Sequence, residues 1–367
     1  MLPTLLAGGM KKLILILTVA AAIFVSGDCL AESPRKISFD RTETKKLFLD
    51  NPLSGSKYDP VTSKVYGLLS SSGEWHFASI DIKKGKIEQL KPFPEVTKFA
   101  RSVSAVDPKQ RRYFFIGEVN ESRYLYTLDI RTSDVIYRYK LTRPLTFLAY
   151  HGQTDKLYGL SKTGGTYYFI SFNIYSGKLA VVSQLPGLSR LKGTTRKIDS
   201  QKGEFLFEGV FNDRVSLLAI PLKEGGIKTV NAHRVGVNEY RFHVFGENQP
   251  VNTLYTFGVC NCVALVGYNK TCKAGFLAHF SSYFEKMEET LGEIEKQIKK
   301  KCGKGFAEMD LYVAGGSIRD AVSLKNALEV YRVLAETFAP GYKGDKIFHL
   351  GVIYNMIIDN GKIDIFF

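Results

Sequence analysis

Tryptophan occurs once in this chain of 367 residues and cysteine only five times. So few cysteines exclude a disulfide-dense scaffold. Long apolar runs are also missing. The stretch Leu13–Val25 has 13 residues, apolar but for Thr18, and a comfortable membrane-spanning helix needs about 20. No Trp-Asp or kelch signature occurs. What is abundant is phenylalanine (25) and tyrosine (20), which with glycine and threonine favour strands over helices. A content of 45% hydrophobic residues can bury a real core and excludes intrinsic disorder as the main state. The length exceeds one ordinary domain. Fifty Lys+Arg stand against 36 Asp+Glu, a formal charge of +14, which implies an acidic partner of some kind.

The N-terminus has the layout of an export signal. Lys11 and Lys12 form a basic start, Leu13–Val25 the apolar segment, and Cys29 and Ala31 the small residues before a cut after Ala31. Lipidation at Cys29, with Asp28 before it, and retention as an anchor are the alternatives. The mature chain would begin at Glu32 and be periplasmic or secreted.

Residues 36–250 repeat. Segments around Tyr66, Phe114, Tyr158 and Leu206 look alike, with spacings of 48, 44 and 48. Sixteen residues after each stands an apolar residue (Ile82, Ile130, Ile174, Leu222), and five later another (Ile87, Val135, Leu179, Ile227). A turn lies between them each time. A strand-built period in the mid-forties predicts propeller blades. Four are visible, with a fifth to be assembled from segments around Leu47 and Arg241; a plain antiparallel sandwich is the alternative. The scattered His76, His151, His233 and His243 read as ordinary polar or packed residues.

Chemistry concentrates after residue 250. Thr256-Phe257-Gly258-Val259-Cys260-Asn261-Cys262 runs from a strand through a small-residue turn, and His279 follows 17 residues after Cys262. A thiol and an imidazole on adjacent strands are the parts of a nucleophile–base pair. A helix is predicted over Tyr283–Lys301 from the three- and four-residue steps of Phe284, Met287, Leu291, Ile294 and Ile298, and a second over Ser323–Phe338. Asp359-Asn360-Gly361-Lys362 predicts a hairpin turn.

These residues, with the strand and Gly-Gly turn Leu311–Ser317, resemble the CheD family of glutamine deamidases, whose catalytic fold is shared by the cytotoxic necrotizing factor toxins. The resemblance covers about residues 250–367. It implies Cys262 as nucleophile, His279 as base, Thr256 as the residue orienting His279, and backbone donors from the turn Gly258, Cys260, Asn261 for the oxyanion. The chain departs from the family where Asn261 or Cys260 stands for Gly-Ser, and in the segment His349–Asn355. Export points away from a chemoreceptor substrate and towards the use made of the fold by toxins and effectors.

The expected architecture is thus mainly β: a signal peptide (1–31), a small propeller (32–250), and an α+β CheD-like layered sandwich (251–367). With Cys262 reserved, Cys272 and Cys302 form the expected disulfide; a zinc set of Cys260, Cys262, Cys272 and His279 is the metal alternative. No cofactor or metal is expected. The substrate would be a protein presenting a glutamine, and the runner-up function is a periplasmic or surface binding protein whose deamidase-like domain is silent. Residues 32–250 carry 34 Lys+Arg against 22 Asp+Glu, so the basic excess belongs to the repeats. It reads as solvated faces or as a docking surface for anionic membrane or an acidic protein; nucleic acid is not expected, because no binding module accompanies it.

Overall fold

The computed structural model describes residues 53–366, apart from residues 60, 63, 82–85, 247–248, 250, 260–261, 282–283, 285, 318–329, 331–344, 350–353 and 360. The expected export segment, Leu47, Cys260, Asn261 and all of the expected second helix but Val330 lie outside the described residues. No helix among the described residues is long and apolar enough to cross a membrane.

The repeats fold into four antiparallel sheets of four strands, each in chain order. The first holds β1 (Ser54–Asp59), β2 (Lys64–Ser71), β3 (Glu74–Asp81) and β4 (Lys86–Phe93). The second holds β5 (Lys98–Asp107), β6 (Arg112–Val119), β7 (Ser122–Asp129) and β8 (Val135–Lys140). The third holds β9 (Thr146–His151), β10 (Lys156–Thr163), β11 (Thr166–Asn173) and β12 (Leu179–Leu185). The fourth holds β13 (Leu188–Asp199), β14 (Glu204–Phe211), β15 (Arg214–Pro221) and β16 (Lys228–Thr229). One Asp ends the first strand of three of these sheets and folds the next turn with its side chain. Asp59 accepts from the Val61 N–H, Asp107 from Lys109 and Gln110, and Asp199 from Gln201 and Lys202. Such Asx turns are why Asp, Asn and Ser punctuate each unit. The repeated apolar residues Ile130, Ile174 and Leu222 lie buried just beyond the third strand.

The sheets stand side by side around an axis, as propeller blades do. Their first strands are neighbours, β1 beside β5, β5 beside β9 and β9 beside β13. Between consecutive blades lie apolar layers: Tyr66, Phe77, Phe115 and Tyr126 between the first and second, Phe114, Leu148 and Phe172 between the second and third, and Tyr158, Phe169, Phe205 and Phe207 between the third and fourth. The aromatic wealth of the sequence is spent there, for instance in the stacked pair Phe115–Tyr126 with centroids 4.7 Å apart. Arg112 joins the second blade to the third, donating to Asp107 Oδ2 at 2.6 Å and to Asp155 Oδ1 at 2.6 Å.

The fifth place in the ring is filled from the C-terminal part of the chain. The strands β17 (Ala232–Arg234), β19 (Thr253–Val259), β24 (Tyr354–Asp359) and β25 (Lys362–Phe366) form one sheet in that order, with β17 parallel to β19. β13 is the neighbour of β19, and Leu217 of the fourth blade packs against Tyr255 and Ile357. The opposite face, through Leu254, Met356 and Ile358, shares a core with Val65, Leu69, Ala78 and Ile80 of the first blade. Arg241, expected in a fifth blade, lies instead on β18 (Glu239–Val244), which pairs with β21 (Ala274–Phe280). Residues 232–244 therefore pair with the C-terminal strands, ahead of the expected boundary at residue 250.

A second sheet, ordered β18-β21-β20-β22-β23, adds β20 (Val263–Asn269), β22 (Asp310–Ser317) and β23 (Asp345–His349). One face shares the core of Leu254 and Met356, and the other is covered by helix α1 (Met287–Cys302) through Leu291, Ile294 and Ile298. Burying each of those side chains stabilises by about 1.5–3 kcal/mol. The helix starts at Met287, four residues after the expected Tyr283, because the chain first turns at Ser281, whose carbonyl accepts from the Phe284 N–H. It stops at Gly303, whose positive φ of 77° closes the last turn onto the Lys299 carbonyl. The hairpin β24–β25 turns between Asp359 and Lys362 as its Asn-Gly predicts.

Candidate active site

Alternation along the strands decides which side chains meet. On β20, Val263 and Leu265 face the helix, while Ala264 and Val266 face the other sheet together with Cys262 just before them. On β21, Phe276, Ala278 and Phe280 face the helix, which turns His279 to the same side as Cys262. Ala264 lies directly opposite His279 in the ladder. Cys262, two residues away on the same face, is its diagonal neighbour, with a separation of roughly 7–8 Å between Cα atoms for such a pair. Cys262 is half-buried and takes no part in a disulfide.

Thr256 comes from the facing sheet. Its Oγ1 lies 2.7 Å from His279 Nδ1 and 2.9 Å from the carbonyl oxygen of Val235. A hydroxyl has one proton, and a carbonyl only accepts. Thr256 therefore donates to Val235, and Nδ1–H of His279 donates to Thr256. That assignment leaves Nε2 with its lone pair, and this atom is buried with no hydrogen-bond partner among the described residues. Burial, and after it the charge of Arg234, lowers the His279 pKa to about 4. The imidazole is thus neutral at physiological pH, in the tautomer that presents Nε2 as a base.

Two further features hold this arrangement. Thr256 pairs with Met356 and Val259 with Tyr354, so Phe257 and Gly258 form a bulge, with Gly258 exposed at φ 75°. The small-residue turn expected from Gly258 onward thus begins inside the strand. Gly315 on β22 sits against the Cys262 backbone. A Cβ there would come within 2.2 Å of the Cys262 carbonyl oxygen and 2.6 Å of Val259 Cγ1, and its φ is 97°.

Thr256, His279 and Cys262 are therefore gathered between the two sheets, Gly258 rims them, and Cys260 and Asn261 lie outside the described residues. Cys272 and Cys302 are joined in a disulfide with 5.4 Å between their Cα atoms, tying the β20–β21 turn to the end of α1. This bond removes Cys272 from the zinc set considered above. Sequence reasoning assigned no role to three participants. Val235 contributes a backbone carbonyl, which any residue could supply. Gly315 is marked in sequence only by the Gly-Gly pair. Arg234, whose Nε lies 2.8 Å from Glu208 Oε1 on the fourth blade, places an ion pair near His279 across the blade contact.

No family model matches this chain, and no curated protein matches it in sequence. Among solved structures it is similar to TolB from Acinetobacter baumannii, at 12% identity and a TM-score of 0.39, over 62% of this chain and 54% of that one. It is similar to an oligogalacturonate lyase in complex with manganese, at 12% identity and a TM-score of 0.39, over 60% of each chain. It is also similar to a chain of a nidogen/laminin complex, at 14% identity and a TM-score of 0.38, over 48% of this chain and 64% of that one. The chain thus spans about half to two thirds of the length of these proteins. Such weak likenesses carry no activity across.

Proposed function

We propose that this chain is a cysteine amidohydrolase that deamidates protein glutamine, with the propeller-like ring docking the target. The observation that carries the reading is the Thr256–His279 hydrogen bond, which leaves Nε2 as a lone-pair base on the face shared with Cys262. The resemblance of residues 250–367 to CheD supports the choice of substrate group.

Cys262 Sγ attacks the carboxamide carbon of glutamine while its proton passes to His279 Nε2. The tetrahedral intermediate collapses with cleavage of the C–N bond, and the imidazolium gives its proton to the departing ammonia. His279 then takes a proton from water, whose oxygen attacks the thioester carbon; glutamate leaves and the thiol re-forms. Thr256 keeps Nδ1–H bonded throughout and so keeps Nε2 towards the sulfur. Imidazolium is costly in this buried place, and the adjacent thiolate or oxyanion offsets that cost only while the reaction is under way. The imidazole accordingly rests neutral. Docking through the ring would use the basic excess of residues 32–250 against an acidic protein or anionic membrane.

The deciding experiment treats envelope or host-cell proteins with the wild type and with Cys262→Ala, followed by peptide mass spectrometry. Gln-to-Glu conversion at particular sites with the wild type alone is expected. Equal peptide masses in both samples would leave the runner-up, an exported binding protein with a silent domain.

A further inference from the structure

Two of the histidines scattered along the sequence meet where the C-terminal sheets face each other. His233 lies on β17 and His243 on β18, the edge strands of those two sheets. The ladders fix their directions. His233 pairs with Leu254, whose side chain lies in the core shared by the sheets, so His233 points the same way. On β18, Tyr240 and Phe242 pack on the helix side, which turns His243 and then Phe245 towards the facing sheet. The two imidazole rings have centroids 6.2 Å apart, with 71° between their planes.

The surroundings of His243 suit a metal ligand. Its Nε2 is buried and has no hydrogen-bond partner among the described residues. Burial lowers the pKa of this ring, against the Val251 backbone carbonyl, which favours a proton on it, and together with the charge of His233. With Nε2 unpartnered, the proton facing Val251 belongs to Nδ1. A ligating imidazole ordinarily has this form, one N–H given to a backbone carbonyl and the other nitrogen's lone pair open. Phe245 holds the ring edge-on, with centroids 4.9 Å apart.

The spacing decides which ion fits. With metal–nitrogen bonds of about 2.0–2.1 Å, two imidazole centres on one ion stand about 5 Å apart at the tetrahedral angle and about 6.4 Å apart when trans. The observed 6.2 Å is close to a trans pair. Tetragonal nitrogen sites of that kind suit copper(II), which also binds imidazole more tightly than its divalent neighbours do. His233 is partly exposed on its edge strand, and its broad terminal torsion lets the ring turn a nitrogen to the ion. No third His, Cys, Asp or Glu among the described residues joins the pair. We propose that His233 and His243 bind one copper(II) ion, with water in its remaining positions, and so clip the edge of one sheet to the edge of the other. His279 stands opposite Glu239, four residues from His243 along β18, or roughly 13 Å at the rise of a strand. The copper site is thus separate from Cys262 and His279, and it stands whether or not the chain is an amidohydrolase.

The test uses the full chain with its free thiols blocked by iodoacetamide, so that sulfur neither binds nor reduces the ion. Copper(II) sulfate is titrated by calorimetry near neutral pH in a buffer that does not chelate metals. One equivalent should bind, with an electron paramagnetic resonance spectrum coupled to two imidazole nitrogens. Magnesium, which takes oxygen ligands, should give no binding heat. The deciding variant is His233→Gln. Losing a residue that merely orients a metal ligand costs about 10–100-fold in affinity, so losing the ligand itself should cost at least tenfold. The variant's spectrum should also lack one nitrogen, and copper should raise the melting temperature of the wild type alone. Equal copper affinity and an unchanged spectrum in His233→Gln would place the ion on other histidines and overturn the proposal. Absence of stoichiometric binding to the wild type would overturn it as well.

Discussion

Acidification should destabilise this protein through one identifiable side chain, His279. The folded state holds its imidazole neutral, with a pKa lowered to about 4 from the ordinary 6.5. The unfolded chain takes up a proton as soon as the pH falls below 6.5, whereas the folded chain refuses it until about 4. Stability from this group is therefore intact above 6.5, lost progressively as the pH falls through the window, and constant again below it. Each pH unit of that window is worth roughly 1.4 kcal/mol, so its full width removes about 3 kcal/mol. Against a typical domain stability of about 5–15 kcal/mol this is a large share. The assay is urea unfolding at pH steps across the window, for wild type and for His279→Gln, whose side chain can still donate to Thr256 but does not titrate. Burial also lowers the pKa of His151 and His243, and their contributions are common to both proteins and cancel in the difference. The two stability curves should converge by about 3 kcal/mol between pH 6.5 and 4. Curves that run parallel would refute the account of a buried neutral imidazole, and with it the assignment of Nε2 as a resting base.

Thr256→Val should leave both the His279 Nδ1–H and the Val235 carbonyl without their bridge, costing about 2–4 kcal/mol by thermal or urea unfolding, while Thr256→Ser stays within about 1 kcal/mol of wild type. Gly315→Ala forces a Cβ against the Cys262 carbonyl at a positive φ, so a loss of about 2–3 kcal/mol and a changed rate of Cys262 alkylation by a thiol reagent are expected. Cys272 and Cys302 are 30 residues apart in sequence, and replacing both by serine should cost roughly 3–4 kcal/mol through the freed unfolded chain. Because that disulfide lies at the far end of the β20–β21 hairpin from Cys262, mild reduction should lower stability without altering the alkylation rate at Cys262.

The parts of the fold that were legible in sequence are those built locally. Each blade is a hairpin series, with Asx turns at Asp59, Asp107 and Asp199 in three of the four, so its offsets survive in the sequence whatever its neighbours do. The fifth place in the ring could not be read that way. Its sheet is drawn from Ala232–Arg234, Thr253–Val259 and Tyr354–Phe366, with a parallel edge strand and more than ninety residues between its second and third strands. No repeat offset reports a pairing between such distant segments; only burial on both faces, against Leu217 on one side and Val65 on the other, specifies it. The candidate site divides along the same line. Cys262 and His279 are on neighbouring strands of one hairpin, and period-two alternation is enough to put them on one face. Thr256 could be named from spacing, but its role depends on the Val235 carbonyl, placed just past the parallel strand β17 that the sequence did not reveal. That dependence has a consequence for function. Val235 directly follows Arg234, the last residue of β17, and Arg234 pairs with Glu208 of the fourth blade, so adjacent residues serve the blade contact and the tautomer of His279. A ligand that shifts the fourth blade against this sheet must move either the Arg234–Glu208 pair or the Thr256 bridge, and both bear on the basicity of the same imidazole.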